Sequence, residues 1–128
     1  MRVLLDTHAL IWAGLSKGQL SSEAAAVIGD PETVPLVSAA SIWEIATKVR
    51  LGKLPEAERL EARILEELRE AGYVLLPITP EIALRAGRIV GIHGDPFDRM
   101  IAAQALAEDI PLISADAKLD EFGVRRIW

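Results

Sequence analysis

The chain has 128 residues, enough for one domain that buries roughly two thirds of the surface its unfolded form exposes. It is 51% hydrophobic yet only 5% aromatic, so an aliphatic core is expected, and zero cysteines exclude disulfides and thiolate-bound metals. Nineteen acids against fourteen bases give a formal charge of -5, which at face value argues against a nucleic-acid partner, and no apolar run is long enough to cross a bilayer.

Residues 2–5, RVLL, read as a short strand ending at Asp6, with a helix continuing through Ala9, Leu10 and Ala13. The same N-terminal stretch carries an acid at position 6 and lacks a small-residue cleavage signal, so a cytoplasmic, non-exported protein is expected. SSEAAAVIG is a serine-capped helix stopped by Gly29. TVPLVS is a strand in which Pro35 predicts an edge position or a strand start, and it runs into the helix AASIWEIATKVR, stopped at Gly52. From Pro55 to Ala71, apolar Ala57, Leu60, Ile64, Leu68 and Ala71 recur three or four apart, predicting one amphipathic helix. Strand YVLLPI follows, then helix TPEIALRAGRIV capped by Thr79. In HGDPFDRMIAAQA, Asp95 before Pro96 reads as an N-cap with proline at the first helical position. Strand PLIS at 111–114, a turn, and a last strand VRRIW complete the chain.

Strands alternating with helices imply one mostly parallel sheet covered on both faces, whose ligand crevice lies beyond the carboxyl ends of the strands. Four acids fall at that edge: Asp6 ends the first strand, Glu44 and Asp98 lie in the first turns of their helices, and Asp116 follows PLIS. Each has a local use. Asp6 can cap a helix, Glu44 can pair with Ser41 or Lys48, Asp98 can favour the helix dipole, and Asp116 can shape a turn. Together, however, crowded carboxylates repel unless protonated or bound to a cation. Hard Mg²⁺ or Mn²⁺ answers that need and suits hydrolysis of a phosphate ester by water. The small residues Ala102 and Ala105, one and two turns below Asp98, allow its helix to approach the sheet.

LLDTHALIW, SAASIWEIATKVRLGKL, HGDPFDRMIAAQA and PLISADAKL, in this order and spacing, resemble the PIN domain and look most like VapC toxins of toxin–antitoxin pairs. The resemblance covers nearly the whole chain, as a single domain over 1–128. It implies a three-layer α/β/α sandwich and a Mg²⁺- or Mn²⁺-dependent endoribonuclease that inhibits translation. It further implies a homodimer silenced by a VapB-type antitoxin. The acids carried over as catalytic and metal-binding residues are Asp6, Glu44, Asp98 and Asp116, with Asp120 as a substitute for the last.

With four acids assigned to a metal site, fifteen remain against fourteen bases, so the rest of the surface is near neutral. Lys48, Arg50 and Lys53 in KVRLGK form the concentrated basic segment and are candidate contacts to RNA phosphates, with a solvated helix end as the simpler use. Thr7 and Ser38 are candidates to orient a ligand carboxylate or water, with helix capping as the equally natural use, and Asp95 supports the site as a cap. His8 and His93 invite a metal or acid/base role by residue type but read first as local hydrogen-bonding residues. Trp12, Trp43 and Trp128 read as core or interface, with Trp43 packed beneath the site. A haloacid-dehalogenase-type phosphatase would need an acid at position 8, which is His8, and a phospho-receiver would need an acidic pair and late lysine that are absent. A non-catalytic PIN-like module that binds RNA or protein is the remaining alternative.

Overall fold

A computed structural model describes residues 1–128. The strands are β1 (Arg2–Leu5), β2 (Val34–Ser38), β3 (Val74–Leu76), β4 (Leu112–Ile113) and β5 (Arg126–Ile127). The helices are α1 (Thr7–Leu15), α2 (Ser22–Gly29), α3 (Ala39–Arg50), α4 (Glu58–Ala62), α5 (Ile64–Glu70), α6 (Pro80–Arg88) and α7 (Pro96–Glu108), with short 3₁₀ turns at Lys17–Gln19, Pro55–Ala57 and Ala117–Phe122. The sheet order is β3-β2-β1-β4-β5 and every pairing is parallel. This is the expected three-layer α/β/α arrangement.

Successive side chains of a strand point to opposite faces, so a strand covered on both sides must be apolar throughout. Val3 and Leu5 join the core beneath α1, α2 and α5, whereas Leu4 joins the core beneath α7. Leu36 and Leu112 follow Leu4, and Val37 and Ile113 follow Leu5. Each such fully buried aliphatic side chain contributes about 1.5–3 kcal/mol. Ala102 and Ala105 are buried against Leu4 and Leu112, so α7 lies close to the sheet as their size permits. No helix is long and apolar enough to cross a membrane.

Three expectations need correction. The segment 55–71 is not one helix but a 3₁₀ turn followed by α4 and α5, broken where Arg63 leaves helical backbone at φ -134° and ψ 33°. Ala57, Leu60, Ile64 and Leu68 nonetheless all join one core, on either side of the break. Second, β2 is an interior strand, so of the two positions Pro35 allowed the strand start holds and the edge does not. Its ladder with β3 starts only at Leu36, so the missing N–H of Pro35 costs that ladder nothing. Third, a 3₁₀ helix occupies 117–122, where a simple turn was expected; it ends at Gly123, whose φ of +83° suits glycine.

Candidate active site

The carboxyl edge of the sheet carries the polar residues. Asp6, only 7% exposed, follows β1 and caps α1, its Oδ1 accepting the Ala9 amide at 2.8 Å. Burial pushes its carboxyl up to about 6. Hydrogen bonds from Ser114 and the Ala9 amide and the charge of His8 oppose that rise, and repulsion by Asp98 adds to it. Capping and site chemistry therefore share one side chain.

Glu44, 4% exposed, is held at both oxygens. The Thr7 hydroxyl donates to Oε1 at 2.6 Å and shares a further hydrogen bond with Ser41 Oγ at 3.0 Å, while Lys48 Nζ pairs with Oε2 one turn on. Thr7 is thus bonded to the Glu44 carboxylate. Lys48 is turned back onto Glu44, leaving Arg50 and Lys53 as the exposed cations of the basic segment.

Asp98 is the meeting point. Burial raises its carboxyl, the His93 hydrogen bond lowers it, and the charges of Asp95 and Glu44 raise it. His93 Nε2 stands 2.7 Å from Asp98 Oδ2 and 4.0 Å from Asp116 Oδ2. One ligand atom from each of His93, Asp98 and Asp116 lies within 4.8 Å of the others. Asp6 and Glu44 are coupled to Asp98 through their charges but are not in that closest group, in which an imidazole stands instead.

Arg99 puts the imidazole there. Its guanidinium donates to the carbonyls of Ala86 at 3.2 Å, Gly91 at 3.2 Å and His93 at 3.1 Å, and to that of Ile89. It also lies 5.5 Å from the centroid of the Phe122 ring. The loop 89–94 is thereby gathered around one side chain. Gly91 rests on Phe122 so closely that a Cβ would meet the ring at 2.5 Å, and Glu121 Oε1 accepts the His93 amide at 2.7 Å.

Other sequence candidates have local partners. Asp95 caps α7 through the amides of Phe97 and Asp98, at 2.8 and 3.3 Å. Ser38 is fully buried and caps α3 through the Ala40 amide at 2.9 Å. Asp116 caps the 117–122 turn through the Lys118 amide at 3.0 Å, with its own amide on Ser114 Oγ at 3.0 Å. Asp120 pairs with Arg126, at 2.8 Å from its Nε, which holds that carboxyl below the usual range, and it is not in the group formed by His93, Asp98 and Asp116. Trp43 does not pack beneath the site. It is 62% exposed, its ring 4.9 Å from that of Phe97 and at 68° to it. Helical position explains this, because Glu44 and Ile45 take the inward directions of α3.

Sequence reading undervalued His93 and overlooked Ser114 and Arg99. The usable signal for His93 was a titratable ring five residues before Asp98 in the loop leading to its helix. Carboxylate oxygens with one imidazole, two of the carboxyls raised by burial, make a donor set with negative charge still to be neutralised. Its carboxylate oxygens suit a divalent cation.

A family model described as PIN domain matches residues 3–124. Ribonuclease VapC22 of Mycobacterium tuberculosis (strain ATCC 25618 / H37Rv) is 32% identical over 123 residues, spanning 91% of this chain and 88% of the relative. Among solved structures, VapBC2 from Rickettsia felis bound to a DNA fragment from its promoter superposes with a TM-score of 0.69 at 16% identity, over 100% of both chains. FitAcB from Neisseria gonorrhoeae superposes with a TM-score of 0.63 at 22% identity, over 97% of this chain and 95% of that one. These structural likenesses concern the fold.

Proposed function

The chain belongs to the PIN domain family, and from that premise we propose that it is a Mg²⁺- or Mn²⁺-dependent endoribonuclease, acting as one domain over residues 1–128. The observation that carries the reading is the gathering of His93, Asp98 and Asp116 within 4.8 Å, with Asp6 and Glu44 coupled to Asp98 by charge. The 32% identity to a protein named a ribonuclease supports it.

Asp6, Asp98 and Asp116 would hold the cation, and Glu44 completes the acidic wall. When bound, the divalent ion supplies Lewis-acid stabilisation of charge on the phosphate and a water of lowered pKa. The remaining work belongs to the chain. Thr7 and Lys48 lock both oxygens of Glu44 in one orientation, which removes the reorganisation a free glutamate would need. Ser114 ties Asp6 to Asp116, bonding one side chain and the amide of the other. Arg50 and Lys53, exposed at the end of α3 and just beyond it, are placed to meet RNA phosphates.

The biological role proposed is that of a cytoplasmic toxin that inhibits translation, works as a homodimer, and is silenced by a VapB-type antitoxin. Two proteins of similar fold, VapBC2 of Rickettsia felis and VapBC-1 of nontypeable Haemophilus influenzae, support such a partner. The test is direct. Purified protein is expected to cut single-stranded RNA with Mn²⁺ or Mg²⁺, to stop on addition of EDTA, and to lose cleavage on Asp6→Asn or Asp98→Asn. Cleavage that persists in EDTA, or at full rate in Asp98→Asn, would show the reading wrong, and metal-free binding alone would favour a non-catalytic module.

A further inference from the structure

Trp43 is the large aromatic that the fold leaves in solvent, one residue before an acid of the site. Its neighbours on α3, Glu44 and Ile45, are 4% and 0% exposed, whereas Trp43 is 62% exposed. Its ring meets Phe97 edge-to-face, and Phe97 directly precedes Asp98. An edge-to-face contact occupies at most one face of the indole, so a π-face remains open while Phe97 fixes the ring's orientation. The other tryptophans are committed elsewhere. Trp12 packs between His8 at 5.6 Å and Trp128 at 5.8 Å.

Resting on the nuclease reading, we infer that Trp43 is a stacking platform for one unpaired nucleobase of the RNA, next to the phosphate held at the acids. Three observations favour a base over an apolar protein surface. The platform spans the two helices that carry site carboxylates, since Trp43 and Phe97, in ring contact, each directly precede one in the chain. One and two turns along the same stripe of α3 stand Thr47 and Arg50, a hydroxyl and an exposed cation, which suit a sugar-phosphate strand. The indole is isolated and edge-buttressed, the arrangement in which a flat ring offers its face. A base inside a duplex has both faces covered by its neighbours, so the substrate class is single-stranded or looped RNA with a base free to unstack.

The experiment measures fluorescence anisotropy of a labelled oligoadenylate on the cleavage-deficient Asp98→Asn protein, with Trp43 intact or replaced. Stacking predicts that Trp43→Tyr keeps Kd within about threefold, whereas Trp43→Ala and Trp43→Leu raise it about five- to a hundredfold. An oligonucleotide with abasic positions should bind weakly to the Trp43-intact protein and lose nothing further on Trp43→Ala. Unchanged binding by Trp43→Ala, rescue by Trp43→Leu, or equal losses on intact and abasic RNA would each overturn the inference. So would a change of oligomeric state in Trp43→Ala, measured by light scattering, which would make the indole an interface between copies. Failure of the wild-type protein to cut RNA with Mn²⁺ would sink the nuclease reading and this inference with it. Normal cleavage together with an inert Trp43 sinks the inference alone.

Discussion

His93 Nε2 and Asp98 Oδ2 stand 2.7 Å apart, joined from opposite sides of the Asp95 cap by a loop that Arg99 holds closed. A metal-ligating or metal-adjacent carboxylate bonded to an imidazole is fixed in orientation, and loss of such a partner weakens hold on the ion.

His93→Ala should therefore weaken Mn²⁺ binding, measured by isothermal titration calorimetry, by about 10- to 100-fold. The thermal stabilisation that Mn²⁺ confers on the wild-type protein should shrink in step. Equal Mn²⁺ affinity in the two proteins would show that His93 only packs against the site.

Arg99 makes its contribution through backbone carbonyls. Because its planar fork reaches the carbonyls of Ala86, Ile89, Gly91 and His93 together, a single ammonium cannot replace it. Arg99→Lys is expected to lower stability by about 1.5–3 kcal/mol, the worth of a hydrogen bond from a charged group. It should also speed amide exchange across residues 89–94 before exchange rises elsewhere. A loop as protected as in the parent would refute the clamp.

The pH dependence of the metal-free protein should carry the mark of Asp6. Its carboxyl lies at about 6 when folded against 3.8 as the ordinary value, so between those pH values the folded state keeps a proton that the unfolded state has released. Stability from this group is accordingly present below pH 3.8, falls as pH rises through 6, and by pH 8 is lower by about 3 kcal/mol. Asp6→Asn keeps the helix cap and removes the titration. In EDTA, its urea midpoint should exceed that of the wild type at pH 8 and approach it at pH 4. A difference independent of pH would place the cost elsewhere.

Thr7→Val tests the lock on Glu44. It removes the donor to Oε1 and leaves a buried carboxylate oxygen without it, a loss of about 1–3 kcal/mol, whereas Thr7→Ser should restore most of it. Chemical denaturation of the three proteins reads the order directly.

Much of the architecture was legible in the chain itself. Short apolar strands alternating with capped helices implied a parallel sheet, and the caps at Asp6, Ser38, Thr79 and Asp95 are where residue type placed them. These are local effects, acting within one turn of helix or one strand, and so they are written in neighbouring residues. The four acids could be assigned to one edge because parallel topology sends every strand end and every returning helix start there.

Tertiary packing decided the rest. The helix over 55–71 broke at Arg63, with no proline or glycine to announce it, while Leu60, Ile64 and Leu68 all stayed in the same core. Trp43 faces solvent because Glu44 and Ile45 claim the interior. His93 entered the closest group of ligand atoms through Arg99, Gly91 and Phe122, residues that meet only after α7 and the 117–122 turn have packed on the sheet. Contacts between residues far apart in the chain exist only once the fold has brought them together, and the periodicity of any single segment carries no trace of them.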